Sequence, residues 1–167
     1  MSARAAWRLE SLGYSQVYHY AAGKSDWLAG GLPREGVLTG FPRAGDAVRR
    51  DVPTCGLAER VGEVAARVAA AGWESCVVVA EDRTVLGILR ARALRGDPEA
   101  SAEAAMEAGP TTFRPSELLA EIALHLTQAR VRRVLITTPE GRLIGVLDRD
   151  EAARRTGLVV AELAEGE

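Results

Sequence analysis

Apolar residues recur at helical spacing in two stretches of the chain, 57–71 and 116–129, which are therefore predicted to be helices with one buried face. Each stretch is followed by two runs of apolar and β-branched residues that are joined by a polar turn. The runs are 76–80 with 84–89, and 134–138 with 142–147. Because these runs are almost continuously apolar, they predict strands that are buried on both faces.

The same elements are expected before and after each pair of strands. A short extended segment ends at Thr54 or Thr112 ahead of each helix, and a short helix is expected near 91–95 and 148–155. The predicted order is therefore β-α-β-β-α in both halves. The halves also match position by position at an offset of 58 residues, as in Val61, Val64, Ala65 and Val68 against Leu119, Ile122, Ala123 and Leu126. This duplication predicts an α/β fold of two similar halves, with ligand sites paired across their junction.

The remaining residues lie mostly ahead of the repeats. In 1–35 the pattern predicts a helix that stops near Gly13, a short strand at 17–20 and a helical turn around Trp27. Residues 36–50 are rich in Gly and Pro without periodicity, which predicts a linker. The first repeat is assigned to 51–97, the second to 105–156, and a C-terminal tail to 157–167.

Composition narrows the class of protein. The 167 residues are 47% hydrophobic and 26% charged with a net charge of −2, which is typical of a globular chain and gives no general attraction to nucleic acid or anionic lipid. No apolar run approaches the roughly 20 residues that cross a bilayer, and the first residues lack the apolar stretch of a signal peptide. A cytoplasmic protein is therefore expected.

The two cysteines predict no catalytic or metal site. Cys55 and Cys76 have neither zinc-ligand spacing nor a nearby histidine. Cys55 and Arg60 form a Cys-x4-Arg pattern, which in other proteins cradles an anion. Here the intervening residues include Glu59, whose charge disfavours a thiolate, so we predict no catalytic residue.

The second repeat resembles a CBS (cystathionine-β-synthase) domain. The resemblance rests on three features. A basic pair leads into a strand, Arg132-Arg133-Val134-Leu135-Ile136, and a turn leads into a glycine-containing strand, Glu140-Gly141-Arg142-Leu143-Ile144-Gly145-Val146-Leu147. The third is the lead-in Ala105-Met106 before residues 111–113. Because the ordered set occurs twice, residues 47–155 resemble a tandem CBS pair, or Bateman module. This implies repeats packed through their sheets about a pseudo-twofold axis, with two clefts that in similar modules hold adenine nucleotides or S-adenosylmethionine.

The resemblance also implies which residues contact the ligand. Nucleotide-binding members carry a hydroxyl residue three positions after the strand glycine, and an aspartate three positions later. This chain departs from that pattern, with Arg90 and Ala93 in the first repeat and Asp148 and Glu151 in the second. Ala93 cannot bind a ribose, whereas Arg90 still offers donors to a phosphate. Glu151 would replace the ribose carboxylate with a longer reach.

Asp148 leaves two interpretations open, because its charge would repel a phosphate. Asp148, Asp150 and Glu151 together would suit Mg²⁺ or Mn²⁺, which prefer oxygen ligands. Alternatively, these carboxylates form the first turn of a helix, where the helix dipole favours them.

Three further positions complete the predicted site. Thr54 and Thr112 lie where similar modules contact ligand from the extended lead-in, although threonine is also favoured in strands and caps. Arg133, with Arg130 and Arg132, lies just before a strand near the presumed second cleft. These arginines would contact phosphate there, or else form an ordinary charged surface.

Residues 2–33 resemble the C-terminal third of a rhodanese domain. The resemblance is carried in order by Ser2-Ala3-Arg4-Ala5-Ala6-Trp7-Arg8-Leu9, Leu12-Gly13-Tyr14, Val17-Tyr18-His19-Tyr20, Gly23, Trp27 and Gly31-Leu32-Pro33. In a complete rhodanese, a catalytic Cys-x4-Arg loop precedes this helix, and Met1 stands where its Arg would be. The resemblance implies either a remnant that docks on the repeats or a gene product that starts upstream.

We therefore predict a non-catalytic regulatory module that senses AMP, ADP, ATP or S-adenosylmethionine in the cleft between its repeats. A homodimer is expected through the helices 57–71 and 116–129, and a charge at Ala123 would then give a monomer. The alternatives are a truncated rhodanese-like sulfurtransferase-related protein regulated by its CBS pair, and a purely structural dimerisation module. The sequence names neither the ligand nor the regulated partner.

Overall fold

The computed structural model describes residues 2–33, 35 and 40–157, so that positions 36–39 of the predicted linker and 158–167 of the predicted tail lie outside the described residues. Ahead of the first repeat lie the helices α1 (Ser2–Ser11), α2 (Gly23–Ala29) and α3 (Ala44–Ala47). The first repeat contains β1 (Thr54–Cys55), α4 (Val61–Ala70), β2 (Cys76–Val79), β3 (Val85–Leu89) and α5 (Ala91–Leu94). The helix α6 (Ala102–Ala105) and strand β4 (Glu107–Ala108) follow. The second repeat contains β5 (Thr112–Phe113), α7 (Leu119–Gln128), β6 (Arg133–Thr137), β7 (Leu143–Asp148) and α8 (Arg149–Thr156).

The predicted β-α-β-β-α order is confirmed in both repeats. One sheet has the strand order β1-β2-β3-β4 and the other β5-β6-β7. In each sheet the first pair is parallel and the second antiparallel, because a helix connects the first pair and a tight turn the second. The strands β2, β6 and β7 are almost wholly buried, as their apolar runs predict.

A pseudo-twofold axis passes between Thr84 and Arg142, which are 58 positions apart and form an antiparallel bridge with each other. On one side the Val85 amide donates to the Gly141 carbonyl at 3.0 Å, and on the other the Leu143 amide donates to the Arg83 carbonyl at 2.9 Å. Each bond is the symmetry mate of the other. The two sheets are thus joined at the entries of β3 and β7, where the repeats meet.

Part of the predicted linker is ordered and crosses to the second repeat. Helix α3 packs in the core beneath α7 and α8, and Arg49 pairs with Val146 of β7 through two backbone hydrogen bonds of 2.8 Å. Helix α6 and strand β4, 58 positions later, make the matching contacts with the first sheet. The duplicated unit therefore includes 43–50 as well as the core repeat.

Two glycines allow these crossing segments to approach the sheets. A Cβ built on Gly145 would collide with the Arg49 carbonyl oxygen and lie 2.9 Å from a Val48 methyl carbon. A Cβ on Gly87 would collide with the Met106 thioether and lie 2.9 Å from the Glu107 carbonyl oxygen. The strand glycine of each repeat is therefore needed for packing.

The same crossing segments set where the main helices begin. Helices α4 and α7 start a few residues later than predicted, and neither has a side-chain cap. Instead the Leu119 amide donates to the Pro42 carbonyl and the Val61 amide to the Ala100 carbonyl, both at 2.9 Å. Backbone carbonyls distant in sequence thus satisfy amides that a local cap would otherwise serve.

The N-terminal segment differs from its prediction in one respect. Helices α1 and α2 form where expected, but residues 17–20 contain no strand, so this prediction was wrong. A strand needs a neighbour for its backbone groups, and no described strand pairs with this segment. The side chains of Trp7 and Tyr18 remain largely exposed as a result.

Candidate functional site

A cavity of about 540 Å³ lies at the junction of the two repeats, and we call it the Arg90 cleft. Its floor consists of four apolar residues that form two symmetry pairs; they are Val77 with Leu135 and Ile88 with Val146. Around this floor lie Glu74, Ser75, Arg90, Ala91, Pro110, Thr111, His125, Leu126, Arg130, Val131, Arg132, Arg133 and Val134. The cleft therefore combines the ends of β2 and β3 from one repeat with the α7–β6 loop of the other.

The rim of the Arg90 cleft is strongly basic. Among the residues that the structure describes, four arginines line it and Glu74 is the one acidic residue in its lining; the arginines are Arg90, Arg130, Arg132 and Arg133. Glu74 lies 3.8 Å from Arg132 and 3.9 Å from Arg133, at the outer limit of an ion pair. These guanidinium groups therefore keep donors for an anion, and a planar guanidinium suits phosphate or carboxylate oxygens.

Chain geometry brings these arginines together. Arg90 is the residue between β3 and α5, and its Nε donates to Glu107 at 2.7 Å. Arg130 has a positive φ of 54° directly after α7, which turns the chain sharply before β6. Arg132 and Arg133 then enter β6 beside the open end of the first sheet. Element ends from both repeats thus place the four positive charges at one mouth.

The structure brings together some of the predicted site residues. Arg90 and Arg133 line this cleft, and Thr112 adjoins the lining residue Thr111. Thr54 lies in β1 away from the cleft, and its carbonyl accepts from Arg67 at 3.1 Å. The cluster Arg130, Arg132 and Arg133 was expected near the second cleft; all three line the Arg90 cleft, and Arg133 also contacts Asp148 in the second. Asp148 and Glu151 do not line the Arg90 cleft.

Asp148 and Glu151 already have hydrogen-bond and ion-pair partners in the protein. Asp148 caps α8 by accepting from the Asp150 amide at 3.0 Å, and Arg133 donates to it at 3.2 Å. Glu151 pairs with Arg154 and Arg155, and the hydrogen bond from Arg155 lowers the pKa of the Glu151 carboxyl. Within residues 2–33, 35 and 40–157 no group of three or more acidic, histidine or cysteine side chains is arranged to hold a metal ion. The geometry therefore favours the helix-cap interpretation of these acids.

The symmetry-related position, which we call the Asp148 cleft, is filled by Trp73. The Trp73 side chain is only 7% exposed and packs with Val52, Leu135 and Val146. The guanidinium carbon of Arg49 lies 4.4 Å from the indole centroid and that of Arg133 lies 5.3 Å away. Sequence reasoning missed this residue, although the 58-residue alignment pairs Trp73 with the much smaller Val131.

The charges at the Asp148 cleft form a connected set. Arg49 donates to the Asp51 carboxylate at 2.6 and 3.1 Å, and the Trp73 indole N–H close to this carboxylate makes a smaller contribution to lowering its pKa. The hydrogen bonds from Arg49 hold the pKa of Asp51 below its usual range. Asp148 adds a second carboxylate that pairs with Arg133. The cations around the indole are therefore matched by acids.

The Cys-x4-Arg pattern does not assemble into an anion cradle. Cys55 and Cys76 are both buried, and Arg60 instead pairs with Glu99. The hydrogen bond between the two thiols lowers the pKa of Cys55 and, together with burial, raises the pKa of Cys76 well above its ordinary value. The Cys76 thiol therefore stays protonated, and burial keeps the Cys55 thiol away from a substrate.

Fold and cavity together define a tandem α/β repeat with a cleft between its halves. Residues 102–156 match the family model of the CBS domain. No curated protein sequence matches the chain. The fold is that of the CBS-pair structures described next, and within the described residues no helix is long and apolar enough to span a membrane.

Three solved structures illustrate the similarity. The cytosolic domain of the Mg²⁺ channel MgtE in complex with ATP is 21% identical, with a TM-score of 0.63 over 68% of this chain and 48% of that one. CBSX2 in complex with AMP is 19% identical, with a TM-score of 0.61 over 68% of this chain and 95% of that one. The CBS pair of MJ0100, in complex with 5′-methylthioadenosine and S-adenosyl-L-methionine, is 15% identical, with a TM-score of 0.60 over 70% and 97%.

The three structures differ in how much of their own length this chain matches. The chain spans about half the length of the MgtE cytosolic domain but nearly all of CBSX2 and of the MJ0100 domain pair. At these identities the similarity establishes the fold. The tandem CBS architecture expected from the sequence is thus confirmed, while the resemblance of residues 2–33 to a rhodanese gains no support from these comparisons.

Proposed function

We propose that this chain is a non-catalytic regulatory module that senses an adenine-containing anion in the Arg90 cleft. The observation that carries the proposal is the open apolar cleft with four arginines at its mouth. An apolar floor suits a planar base, and the guanidinium groups suit the phosphates attached to it. Complexes of similar folds with ATP, AMP or S-adenosyl-L-methionine support this ligand class.

The proposed site residues follow from this cleft. Arg90 and Arg133, which line it, would donate to phosphate oxygens, and Thr112 would contact the ligand from the lead-in of β5. Thr54 of the first repeat and Asp148 and Glu151 of the second do not line this cleft; they keep the ligand-contact, phosphate and ribose positions that the family resemblance implies for the other cleft. Ligand binding would favour one arrangement of the two repeats, and a partner would respond to that arrangement.

A binding series on the purified chain tests the proposal. AMP, ADP, ATP and S-adenosylmethionine, each with and without Mg²⁺, are titrated by calorimetry and by thermal shift. We expect at least one of them to raise the unfolding midpoint in proportion to the logarithm of its concentration. No shift with any of the four would reject ligand sensing and favour a structural dimerisation module.

A matched pair of variants locates the binding site. Arg132→Ala removes a guanidinium group from the rim, so a phosphate-bearing ligand should bind about 10-fold more weakly. Arg92→Ala removes an exposed arginine of α5 that does not line the cleft, and affinity should stay within about twofold. Equal losses in both variants would place the ligand elsewhere.

The oligomer and cellular location are proposals of the same kind. We propose a homodimer through α4 and α7 in the cytoplasm. Helix α7 carries Leu124, whose side chain is 54% exposed, and α4 presents the exposed alanines Ala66, Ala69 and Ala70. Ala123, by contrast, is only 2% exposed. The predicted effect of a charge at Ala123 was therefore wrong, because such a charge would disrupt the core and not simply a surface contact.

The rhodanese-related alternative remains a separate proposal. It rests on the residue order of 2–33 and on the exposed aromatic side chains of this segment, which include Trp7, Tyr14 and Tyr18. A thiosulfate sulfurtransferase assay on the native protein tests it. Transfer that persists in a Cys55→Ser, Cys76→Ser double variant would not involve either cysteine of this chain.

A further inference from the structure

The two clefts of this module share a backbone plan but differ in what occupies them. Val131 lines the Arg90 cleft, and the symmetry-related position in the Asp148 cleft is Trp73. Val131 leaves its cleft open, with 37% of its own surface exposed. Trp73 is 7% exposed and closes the other one. The difference between an open and a filled cleft therefore traces to one residue pair.

The surroundings of Trp73 have the features of an aromatic-ring site. The guanidinium groups of Arg49 and Arg133 lie over the indole at 4.4 and 5.3 Å, an arrangement that attracts a π-system. The Asp51 carboxylate, which is held by Arg49, lies near the indole N–H at the edge of the ring, and this N–H helps to lower the pKa of Asp51. Val52 and Val146 complete an apolar wall, so that both the body and the polar edge of the indole are matched.

We propose that the Asp148 cleft is a binding site for a planar aromatic ring that the chain fills with its own Trp73. The indole acts there as a built-in ligand. It fixes Arg133, which also lines the Arg90 cleft, and so couples the filled site to the open one. A second consequence rests on the proposed function: a ligand from solution binds at the Arg90 cleft, with one molecule per chain.

The test uses the full chain with two substitutions. Trp73→Val copies the residue at the symmetry-related position and vacates the site, whereas Trp73→Phe keeps an aromatic ring in it. Indole is the probe, because it is the aromatic ring system of the tryptophan side chain that the Trp73→Val substitution removes. At about five times its dissociation constant, indole should raise the unfolding midpoint of Trp73→Val by about 2–4 °C. It should leave the midpoints of the wild type and of Trp73→Phe unchanged.

The outcomes separate this proposal from the proposed function. Equal shifts in Trp73→Val and the wild type, or no shift in a folded Trp73→Val, would overturn the ring site. If Trp73→Val does not fold, recovery of its far-ultraviolet circular dichroism by indole supports the site, and failure to recover overturns it.

Calorimetry with AMP addresses the stoichiometry. One equivalent on the wild type and two on Trp73→Val support a single open cleft, and two equivalents on the wild type contradict it. An absence of AMP binding by both proteins would reject AMP sensing, while the indole result still decides the ring site.

Discussion

At the residue scale, Arg133 connects the two clefts. Its Nε donates to Asp148 at 3.2 Å, its guanidinium group lies over Trp73, and its side chain lines the Arg90 cleft. The Arg133 and Asp148 side chains are 25% and 20% exposed, so their ion pair is better shielded from water than the others at this rim. A partly buried, hydrogen-bonded pair contributes more than a surface pair.

Arg133→Ala should therefore affect stability as well as binding. We expect the free energy of unfolding to fall by about 1–2 kcal/mol, because Asp148 loses its partner and Trp73 loses a stacking group. Equilibrium unfolding in urea measures this change. The control is Arg132→Ala, whose side chain is 62% exposed and should cost less than about 0.5 kcal/mol. Equal effects of the two substitutions would show that the pair with Asp148 contributes little.

At the element scale, the crossing segments hold the sheets together through close backbone contacts. The Gly145 position faces the carbonyl of Arg49; this carbonyl accepts from the Val146 amide, and the Arg49 amide donates to the Val146 carbonyl. A backbone atom held in this way cannot move aside as a flexible side chain can.

Gly145→Ala should accordingly destabilise the fold by about 2–3 kcal/mol, since the added methyl group forces β7 and the crossing segment apart. Gly87→Ala should cost less, because the flexible Met106 side chain can give way there, although the Glu107 carbonyl remains close. Gly56→Ala is the control, since its added carbon would lie 3.9 Å from the nearest atom. Urea unfolding of the three variants should give this order, and a neutral Gly145→Ala would contradict the packing argument.

The loop between β1 and α4 should make the stability of the fold depend on pH. Glu59 accepts from the Gly56 amide at 2.7 Å and from Arg67 at 2.8 Å. Burial raises the pKa of this carboxyl, but the two hydrogen bonds outweigh burial and the net pKa is lowered. A lowered folded-state pKa stabilises the fold above the unfolded-state value of about 4.3, and this contribution is lost as the pH falls through the folded-state pKa.

Glu59→Gln should therefore be less stable than the wild type at neutral pH, and the difference should shrink below about pH 4. Urea unfolding of both proteins from pH 7 to pH 3 measures it. Glu63→Gln, which removes an exposed carboxylate of α4, controls for the general change in charge. A difference that stays constant across this range would show that the Glu59 carboxylate is not responsible.

The elements show what sequence patterns can and cannot predict here. The helices α4 and α7 and the strands β2, β3, β6 and β7 follow from periodicity, because each buries a regular apolar pattern against the core. Helix α3 and the pairing of Arg49 were missed, because four residues and a single bridge carry no periodic signal. The short run 17–20 shows the converse, since strand propensity alone does not supply a pairing neighbour.

The lining of the two clefts was predicted only in part, because it also depends on tertiary contacts. Sequence position placed Arg90 and Arg133 beside a cleft, because they adjoin motifs of the repeat, and both line the cavity. It placed the α7–β6 arginines near the Asp148 cleft alone, whereas Arg130 and Arg132 line the Arg90 cleft and Arg133 reaches both, since the path of that loop depends on tertiary packing. The role of Trp73 depends on contacts with Arg49 and Arg133, which are 24 and 60 positions away in the sequence.

At the scale of the whole molecule, duplication has produced two clefts of opposite chemistry. Symmetry pairs Arg90 with Asp148, Glu107 with Arg49, and Val131 with Trp73. In each of the first two pairs, the two residues carry opposite charges. In the third pair, the small Val131 leaves its cleft open, whereas the Trp73 side chain occupies the other cleft. The Arg90 cleft therefore has more basic than acidic side chains at its mouth, although Arg90 pairs with Glu107, while near the ring in the other cleft Arg49 and Arg133 each pair with an aspartate. An approximately symmetric scaffold thus carries an asymmetric site.

The same scaffold predicts where two copies of the chain would meet. Leu124 projects from α7 with 54% of its surface exposed, whereas the adjacent Ala123 is buried in the core. Leu124→Glu should convert a dimer into a monomer of 17.8 kDa in sizing with light scattering, with the urea midpoint of the isolated chain preserved. Ala123→Glu should instead abolish folding, because it places an unpaired charge among Leu119 and Ile122. A dimer that persists in Leu124→Glu would move the interface away from α7, and attention would then turn to the exposed aromatic face of residues 2–33, where Trp7 and Tyr18 offer another apolar surface.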